Sequence, residues 1–309
     1  MTVNPVSSLD FTEPSTAGFR TEQVVVGDVR IPVLRGGPRN SAEAVVFVHG
    51  NPGAGSDWLD LMRPVAEFSQ VIAPDMPGFG GAEKRADQDY TLAGYARHLG
   101  GLIDALGLTR VHLVAHDFGG PWSLTWAAAH PDRVASVTLV NTGVMLDYTW
   151  HRVAKIWRVP VVGEIFQRIA PRRFVREMLA HDNPGLHPDW VARIANHLQP
   201  WGTRRAVLRL YRTTTSAMME ALVEPLRASD LPCLVVWGPQ DVYLPAVQAQ
   251  RQREPFPSAQ IHTIPDAGHW SFLERPDMVA PLVLAHLRSH HSTARTRPES
   301  SPSHRNEQP

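Results

Sequence analysis

A chain of 309 residues with 43% apolar side chains is long enough for one large domain with an inserted segment around a sizeable core. Lys plus Arg and Asp plus Glu number 30 each, so the formal net charge is zero and gives no footprint for nucleic acid or an anionic membrane surface. No apolar run reaches the length of a bilayer span, Met1–Phe11 lacks the basic start and apolar stretch of a secretory signal, and Cys233 is the only cysteine, so no internal disulfide can form. The expectation is a soluble, cytoplasmic protein with Cys233 as a small buried hydrophobe.

In chain order, Gln23–Val26 and Ile31–Leu34 read as an opening strand pair. Ala44–Val48, Val71–Ala73, Val111–Ala115, Ser136–Val140, Leu234–Trp237 and Ile261–Ile264 are short apolar runs bounded by turn residues, the pattern of strands covered on both faces. Helical patterns such as Leu92–Leu106 and Pro121–Ala129 lie between them. The alternation predicts an α/β fold, a mostly parallel eight-stranded sheet with helices on both faces.

One gap breaks the alternation. Residues 143–227 contain no convincing strand; they are helical, rich in Arg and Trp, and broken at Pro160, Pro171, Pro184, Pro188 and Pro200. The expected organisation is a core formed by residues 22–142 and 228–289, a helical cap at 143–227, and a disordered tail at 290–309 that is almost devoid of apolar residues.

The chemistry-bearing segment is Val111-His-Leu-Val-Ala-His-Asp117-Phe-Gly-Gly120, a strand, a tight turn and a helix start. Small residues at Ala115, Gly119 and Gly120 let such a turn bend sharply and leave the central side chain exposed above the sheet. The segment resembles the nucleophile elbow of the α/β-hydrolase superfamily, with Asp117 where the serine version has Ser. Four other segments resemble the family's loops in the family's order: Val46-Phe-Val-His-Gly-Asn-Pro52, Asp75-Met-Pro-Gly-Phe-Gly80, Gly238-Pro-Gln-Asp241-Val-Tyr-Leu-Pro245, and Asp266-Ala-Gly-His269-Trp270. The resemblance covers Val24 to Arg288 and looks most like the branch holding epoxide hydrolases and haloalkane dehalogenases.

That resemblance implies roles. A serine attacking an sp³ carbon would form an ether, which is a dead end, whereas a carboxylate forms an ester that water can cleave. Asp117 is therefore the expected nucleophile, His269 the base that activates water, and Asp241 the residue orienting the imidazole. The backbone N–H groups of Asn51 and Phe118 are expected to hold the oxyanion, and the Asn51–Pro52 bond to be cis as the family's loop commonly is. No HExxH, CxxC or carboxylate cluster points to a metal. The remaining histidines, including His49, His112, His116, His181 and His187, read as structural. No cofactor is expected, and the partners are a small apolar organic substrate and water, with no nucleic acid and no membrane.

An epoxide oxygen leaves as an alkoxide and needs a proton donor; a halide leaves as an anion and needs N–H donors. Tyr211-Arg212 resembles the pair around the epoxide hydrolases' proton-donating cap tyrosine, and Tyr148 is the other tyrosine of the cap region, a second candidate donor. Phe118 replaces the indole that dehalogenases carry after their nucleophile, while Asn51 has the residue type and place of a halide ligand. Epoxide hydrolysis is the favoured expectation, with haloalkane dehalogenation and non-catalytic small-molecule binding as alternatives. Trp122, Trp150, Trp157, Trp201, Trp270, Met218 and Met219 hint at an apolar pocket.

Overall fold

A computed structural model of the protein describes residues 14–39 and 41–292. The Met1–Phe11 segment and the expected tail beyond Ser292 lie outside the described residues. Strands β1 (Arg20–Val26), β2 (Val29–Gly36), β3 (Glu43–Val48), β4 (Gln70–Pro74), β5 (Arg110–His116), β6 (Val134–Val140), β7 (Cys233–Trp237) and β8 (Gln260–Thr263) form one sheet in the order β1-β2-β4-β3-β5-β6-β7-β8. β2 pairs antiparallel with both β1 and β4, and every other pairing is parallel. This is the α/β-hydrolase fold.

The apolar runs of β3, β4, β6 and β7 are buried at every residue, and β5 at every residue after Arg110. β8 departs from the expectation of a strand covered on both faces. It is the edge strand, and Gln260, His262 and Thr263 are exposed. The apolar residue that completes its run, Ile264, is buried just past its end.

Helices α1 (Leu59–Val65), α2 (Leu92–Ala105) and α3 (Gly119–Ala129) precede the insertion. α4 (Arg152–Arg158), α5 (Val162–Ile169), α6 (Arg172–Asp182), α7 (Pro188–His197), α8 (Trp201–Thr213) and α9 (Ser216–Ser229) fill the stretch between β6 and β7, and α10 (Val247–Arg251), α11 (Ser271–Glu274) and α12 (Pro276–His290) follow. α2 packs on α3, and α1 on α12. α2 starts where Thr91 caps it, its hydroxyl accepting the Gly94 N–H at 3.0 Å, and buries Leu92, Tyr95, Ala96, Leu99, Leu102 and Ile103 at helical spacing. In the insertion, Pro171 and Pro200 cap helices and Pro188 opens one, places where the missing N–H costs nothing.

Two layers meet in an aromatic core. Tyr95 of α2 stacks on Trp122 of α3 with ring centroids 4.0 Å apart, and Trp58, Phe47, Phe79 and Trp237 are fully buried around the sheet. α7 is tied to the core by charge. The carboxylate of Asp57, just before α1, accepts from the Ala54 N–H at 2.9 Å, from Arg193 Nε at 3.1 Å and from His197 at 3.1 Å.

Candidate active site

β5, the strand between β3 and β6, ends in a turn whose central residue, Asp117, has φ +49°. A non-glycine residue in that region costs about 1–2 kcal/mol. The turn is held by its own carbonyl, which accepts from the Gly120 N–H at 3.0 Å and from the Thr142 hydroxyl. Two glycines are required by close approach: a Cβ on Gly50 would lie 2.4 Å from the Asp117 Cβ, and one on Gly119 2.2 Å from the Val48 carbonyl oxygen.

The Asp117 carboxylate faces two ways. Oδ1 accepts the Asn51 backbone N–H at 2.6 Å, from the loop after β3 whose Asn51–Pro52 bond is cis. Oδ2 lies 3.6 Å from His269 Nε2. On its other side, His269 Nδ1 donates to Asp241 Oδ2 at 2.7 Å. Phe118, the other expected oxyanion residue, sits at the start of α3 and lines the cavity with its ring.

Asp241 is itself fixed. Its Oδ1 accepts the Tyr243 and Leu244 N–H groups at 2.8 and 2.9 Å, and its Oδ2 accepts from Asn141 Nδ2 at 2.9 Å. Asn141 is a residue sequence reasoning missed. It follows β6 with φ +45°, is fully buried, and its Oδ1 accepts from the Gly238 N–H at 3.0 Å and the Ser271 hydroxyl at 2.7 Å. It thus joins the loops that carry Asp241 and His269; the signal for it was a polar residue ending an apolar strand. His116, read as structural, supports the same loop: its Nε2 donates to the His269 carbonyl at 2.9 Å.

Burial by itself would lower the His269 pKa, but the Asp241 and Asp117 carboxylates raise it, to about 10. Burial pushes Asp117 the opposite way, yet the neighbouring His269 imidazole and the Asn51 N–H hold its carboxyl below the usual carboxylate range. Both shifts favour the ion pair, a carboxylate beside an imidazolium.

Above Asp117 lies a cavity with about 950 Å³ of space, its open mouth included. Asn51, Phe118, Trp150, Trp157, Tyr211 and Trp270 are among its walls. Of the aromatic and methionine residues that hinted at a pocket, Met219 also lines it, Trp122 is core, and Trp201 and Met218 are exposed on the surface.

The two tyrosines between β6 and β7 differ in what their hydroxyls do. Tyr148 lines the cavity but donates to the Tyr243 carbonyl at 2.9 Å. The Tyr211 oxygen lies 3.4 Å from Asn51 Nδ2, which donates to it, and 3.4 Å from His151 Nε2. His151 is a second residue that sequence reasoning missed. Its Nδ1 accepts the Ala154 N–H at 3.3 Å, which puts the ring proton on Nε2 and makes that nitrogen a donor to Tyr211. Burial lowers the His151 pKa to about 4, so the ring is neutral near pH 7. With both neighbours donating, the Tyr211 hydroxyl keeps its own hydrogen for the cavity. Burial and the Asp117 charge raise the Tyr211 pKa well above its ordinary value, so that hydrogen stays in place.

A family model described as alpha/beta hydrolase fold matches residues 43–276. A 2-hydroxymuconate semialdehyde hydrolase from Pseudomonas sp. (strain CF600) is 29% identical over 255 residues, 77% of this chain and 84% of that protein. The crystal structure of the haloalkane dehalogenase DatA from Agrobacterium tumefaciens C58 superposes with a TM-score of 0.77 and 26% identity, covering 90% of this chain and all of that one. Epoxide hydrolase VrEH1 from Vigna radiata superposes at 0.74 with 16% identity over 89% of this chain and 99% of its own, a likeness of fold.

Proposed function

The chain belongs to the alpha/beta hydrolase fold family, and within it we propose an epoxide hydrolase that works through a covalent ester on Asp117. The observation that carries this reading is the Tyr211 hydroxyl: two N–H donors occupy its oxygen, and its hydrogen is left for the cavity beside the Asp117 carboxylate.

On this reading the two carboxylate oxygens have different tasks. Oδ1, held by the Asn51 N–H, stays as the carbonyl oxygen; Oδ2, on the His269 side, attacks the epoxide carbon. As that C–O bond breaks, Tyr211 delivers its proton to the departing alkoxide, and the Asn51 and His151 donors steady the phenolate that forms. Once Asp117 is an ester its negative charge is gone. One of the two groups that raise the His269 pKa disappears with it, so the imidazolium gives up its proton more readily, which restores Tyr211 and leaves a neutral base. His269 then activates water for attack on the Asp117 ester carbon, and the charge that develops on Oδ1 is met by the Asn51 N–H. The diol leaves carrying the old Oδ2, and the carboxylate regains an oxygen from water. Opening an epoxide consumes the proton that the resting imidazolium supplies; expelling a halide does not.

Dehalogenation is the second reading. It is favoured by the likeness to a haloalkane dehalogenase and by the Trp157 indole N–H, which is buried at the cavity wall without a hydrogen-bond partner among the described residues. A panel of epoxides, bromoalkanes and 2-hydroxy-6-oxo-dienoates, assayed separately for diol, bromide and carbon–carbon cleavage, tests the proposal. Diol formation supports it. Bromide release without epoxide turnover replaces it with the second reading, and dienoate cleavage without either replaces both.

A further inference from the structure

α5 is an amphipathic helix turned inside out. Gly163 and Gln167, one turn apart, face the protein, while Val162, Ile165 and Ile169 face solvent at 49%, 53% and 70% exposure. Surface helices of globular proteins carry the opposite arrangement. The cause lies in what holds α5 down. Glu164 accepts two hydrogen bonds from Arg212 of α8 at 2.6 and 2.8 Å, and the Gln167 carbonyl accepts from Arg204. A Cβ on Gly163 would come within 2.7 Å of the Trp157 carbonyl oxygen. Polar contacts and a backbone approach fill much of the inner face; Phe166 is partly buried against the core, while Val162, Ile165 and Ile169 are left outside.

The patch extends past the helix. Val159 and Val161 precede it at 47% and 67% exposure, and Phe174 of α6, at 44%, joins it through a ring contact with Phe166 at 6.3 Å. Val161 has φ +69°, a backbone region that β-branched residues avoid.

Charge is segregated around this patch. Residues 152–176 contain seven Arg or Lys and a single acid, Glu164, in a chain whose totals are 30 and 30. Glu164 is taken by Arg212, and Arg158 turns inward to the Tyr211 and Thr214 carbonyls. Arg152, Lys155, Arg168, Arg172 and Arg176 are exposed and have no ion-pair partner among the described residues. The even total that argued against an anionic surface conceals this cluster.

We propose that the cap seats the protein on an anionic lipid surface, with the outer face of α5 in the headgroup–acyl boundary and the surrounding arginines on lipid phosphates. An apolar ridge rimmed by free cations fits such a surface, where arginine stems lie along apolar groups and their heads reach phosphate. A second copy of the chain fits poorly, because a two-fold contact would set Arg168, Arg172 and Arg176 against their own duplicates. No helix of the described residues is long and apolar enough to cross a membrane, and the docking proposed lays α5 along the surface. The helices flanking α5 also line the cavity, α4 with Val153 and Trp157 and α6 with Met178 and Leu179. A docked cap therefore brings the cavity wall to the lipid, and a substrate drawn from it is lipophilic; this last step, unlike the docking, rests on the reaction proposed above.

Co-sedimentation of the full chain with vesicles of phosphatidylcholine alone, and of phosphatidylcholine with phosphatidylglycerol, tests the docking without any assay of activity. Binding is expected to the anionic vesicles only and to weaken as salt is added. Arg172→Gln with Arg176→Gln should lower the partition coefficient by about 25-fold, about fivefold per arginine. Ile165→Ser with Ile169→Ser should abolish binding while leaving the thermal midpoint and turnover of a water-soluble substrate unchanged. Absence of binding to anionic vesicles overturns the proposal, as does binding that ignores both double variants. A dimer in sedimentation velocity that dissociates on Ile165→Ser overturns it in favour of a second copy.

Discussion

Replacing His269 by Gln separates the two half-reactions. The imidazole is held by Asp241 at 2.7 Å on Nδ1 and turns Nε2 toward Asp117 at 3.6 Å from Oδ2. A glutamine amide can fill part of that space and donate to Asp241, but its oxygen takes no proton from water near neutral pH. Attack by Oδ2 on carbon needs no base, whereas hydrolysis of the ester does. Loss of a general base costs about 10²–10⁴ in rate, or about 3–5 kcal/mol of barrier, and that loss falls on the second step. The variant should therefore stall as alkylated enzyme. Removing the imidazolium also withdraws a group that holds Asp117 ionised against burial, so the experiment belongs at pH 8, well above the ordinary carboxylate range. Rapid mixing with an epoxide followed by intact-protein mass spectrometry should show a gain equal to one whole epoxide, because the alkoxide keeps the ring oxygen and a proton. An alkyl halide would add the alkyl group without the halogen. Normal turnover by the variant, or absence of any adduct while the parent forms one, refutes the assignment of His269.

Single turnover of the parent in ¹⁸O-water should place label in the peptide containing Asp117; label confined to product rules out the ester. Tyr211→Phe should slow alkylation by an epoxide by about 10²–10⁴, measured by quench flow, and leave a bromoalkane nearly unaffected, while Asn51→Ala should do the greater harm to a bromoalkane. Asp57→Asn should destabilise the protein by about 2 kcal/mol at pH 7, since His197 and Arg193 outweigh burial and hold that carboxyl at about 2. The sign follows from both partners. The depressed Asp57 contributes above the ordinary carboxylate pKa and loses its contribution as pH falls toward 2; His197, raised by Asp57 against burial, contributes below about pH 6.5 and loses its contribution as pH rises through its folded pKa. Thermal melts across pH should show the difference between parent and variant greatest between about pH 4 and 6.5 and shrinking on either side.

The sheet and the elbow were legible because their signals are local. Apolar runs such as Val111–Ala115 are too short and too β-branched for anything but covered strands, and Gly119 and Gly120 mark a backbone approach that the structure shows against Val48 and Thr142. β8 misled for the same reason: an apolar run does not reveal that its strand will stand at an edge. Asp117, Asn51, Asp241 and His269 could be named because each lies in a short motif. Asn141 and His151 could not, because their importance is a matter of partners 97 and 60 residues away in the chain, Gly238 and Tyr211. The Tyr-Arg pair put Tyr211 ahead of Tyr148 as a donor, but the same limit hid what separates their hydroxyls, since both line the cavity. Only the fold reveals that one hydroxyl is spent on the Tyr243 carbonyl while the other receives two donors and keeps its hydrogen. That asymmetry makes His151 the residue to change next. His151→Phe removes a donor from the Tyr211 oxygen but leaves the hydroxyl. Alkylation by an epoxide should slow, by less than with Tyr211→Phe, since Asn51 still supports the phenolate. The double variant should be no slower than Tyr211→Phe alone, because His151 acts only through that oxygen. If quench flow instead gives additive losses, His151 touches the substrate by itself, and the arrangement of donors around Tyr211 is not what sets the rate of ring opening.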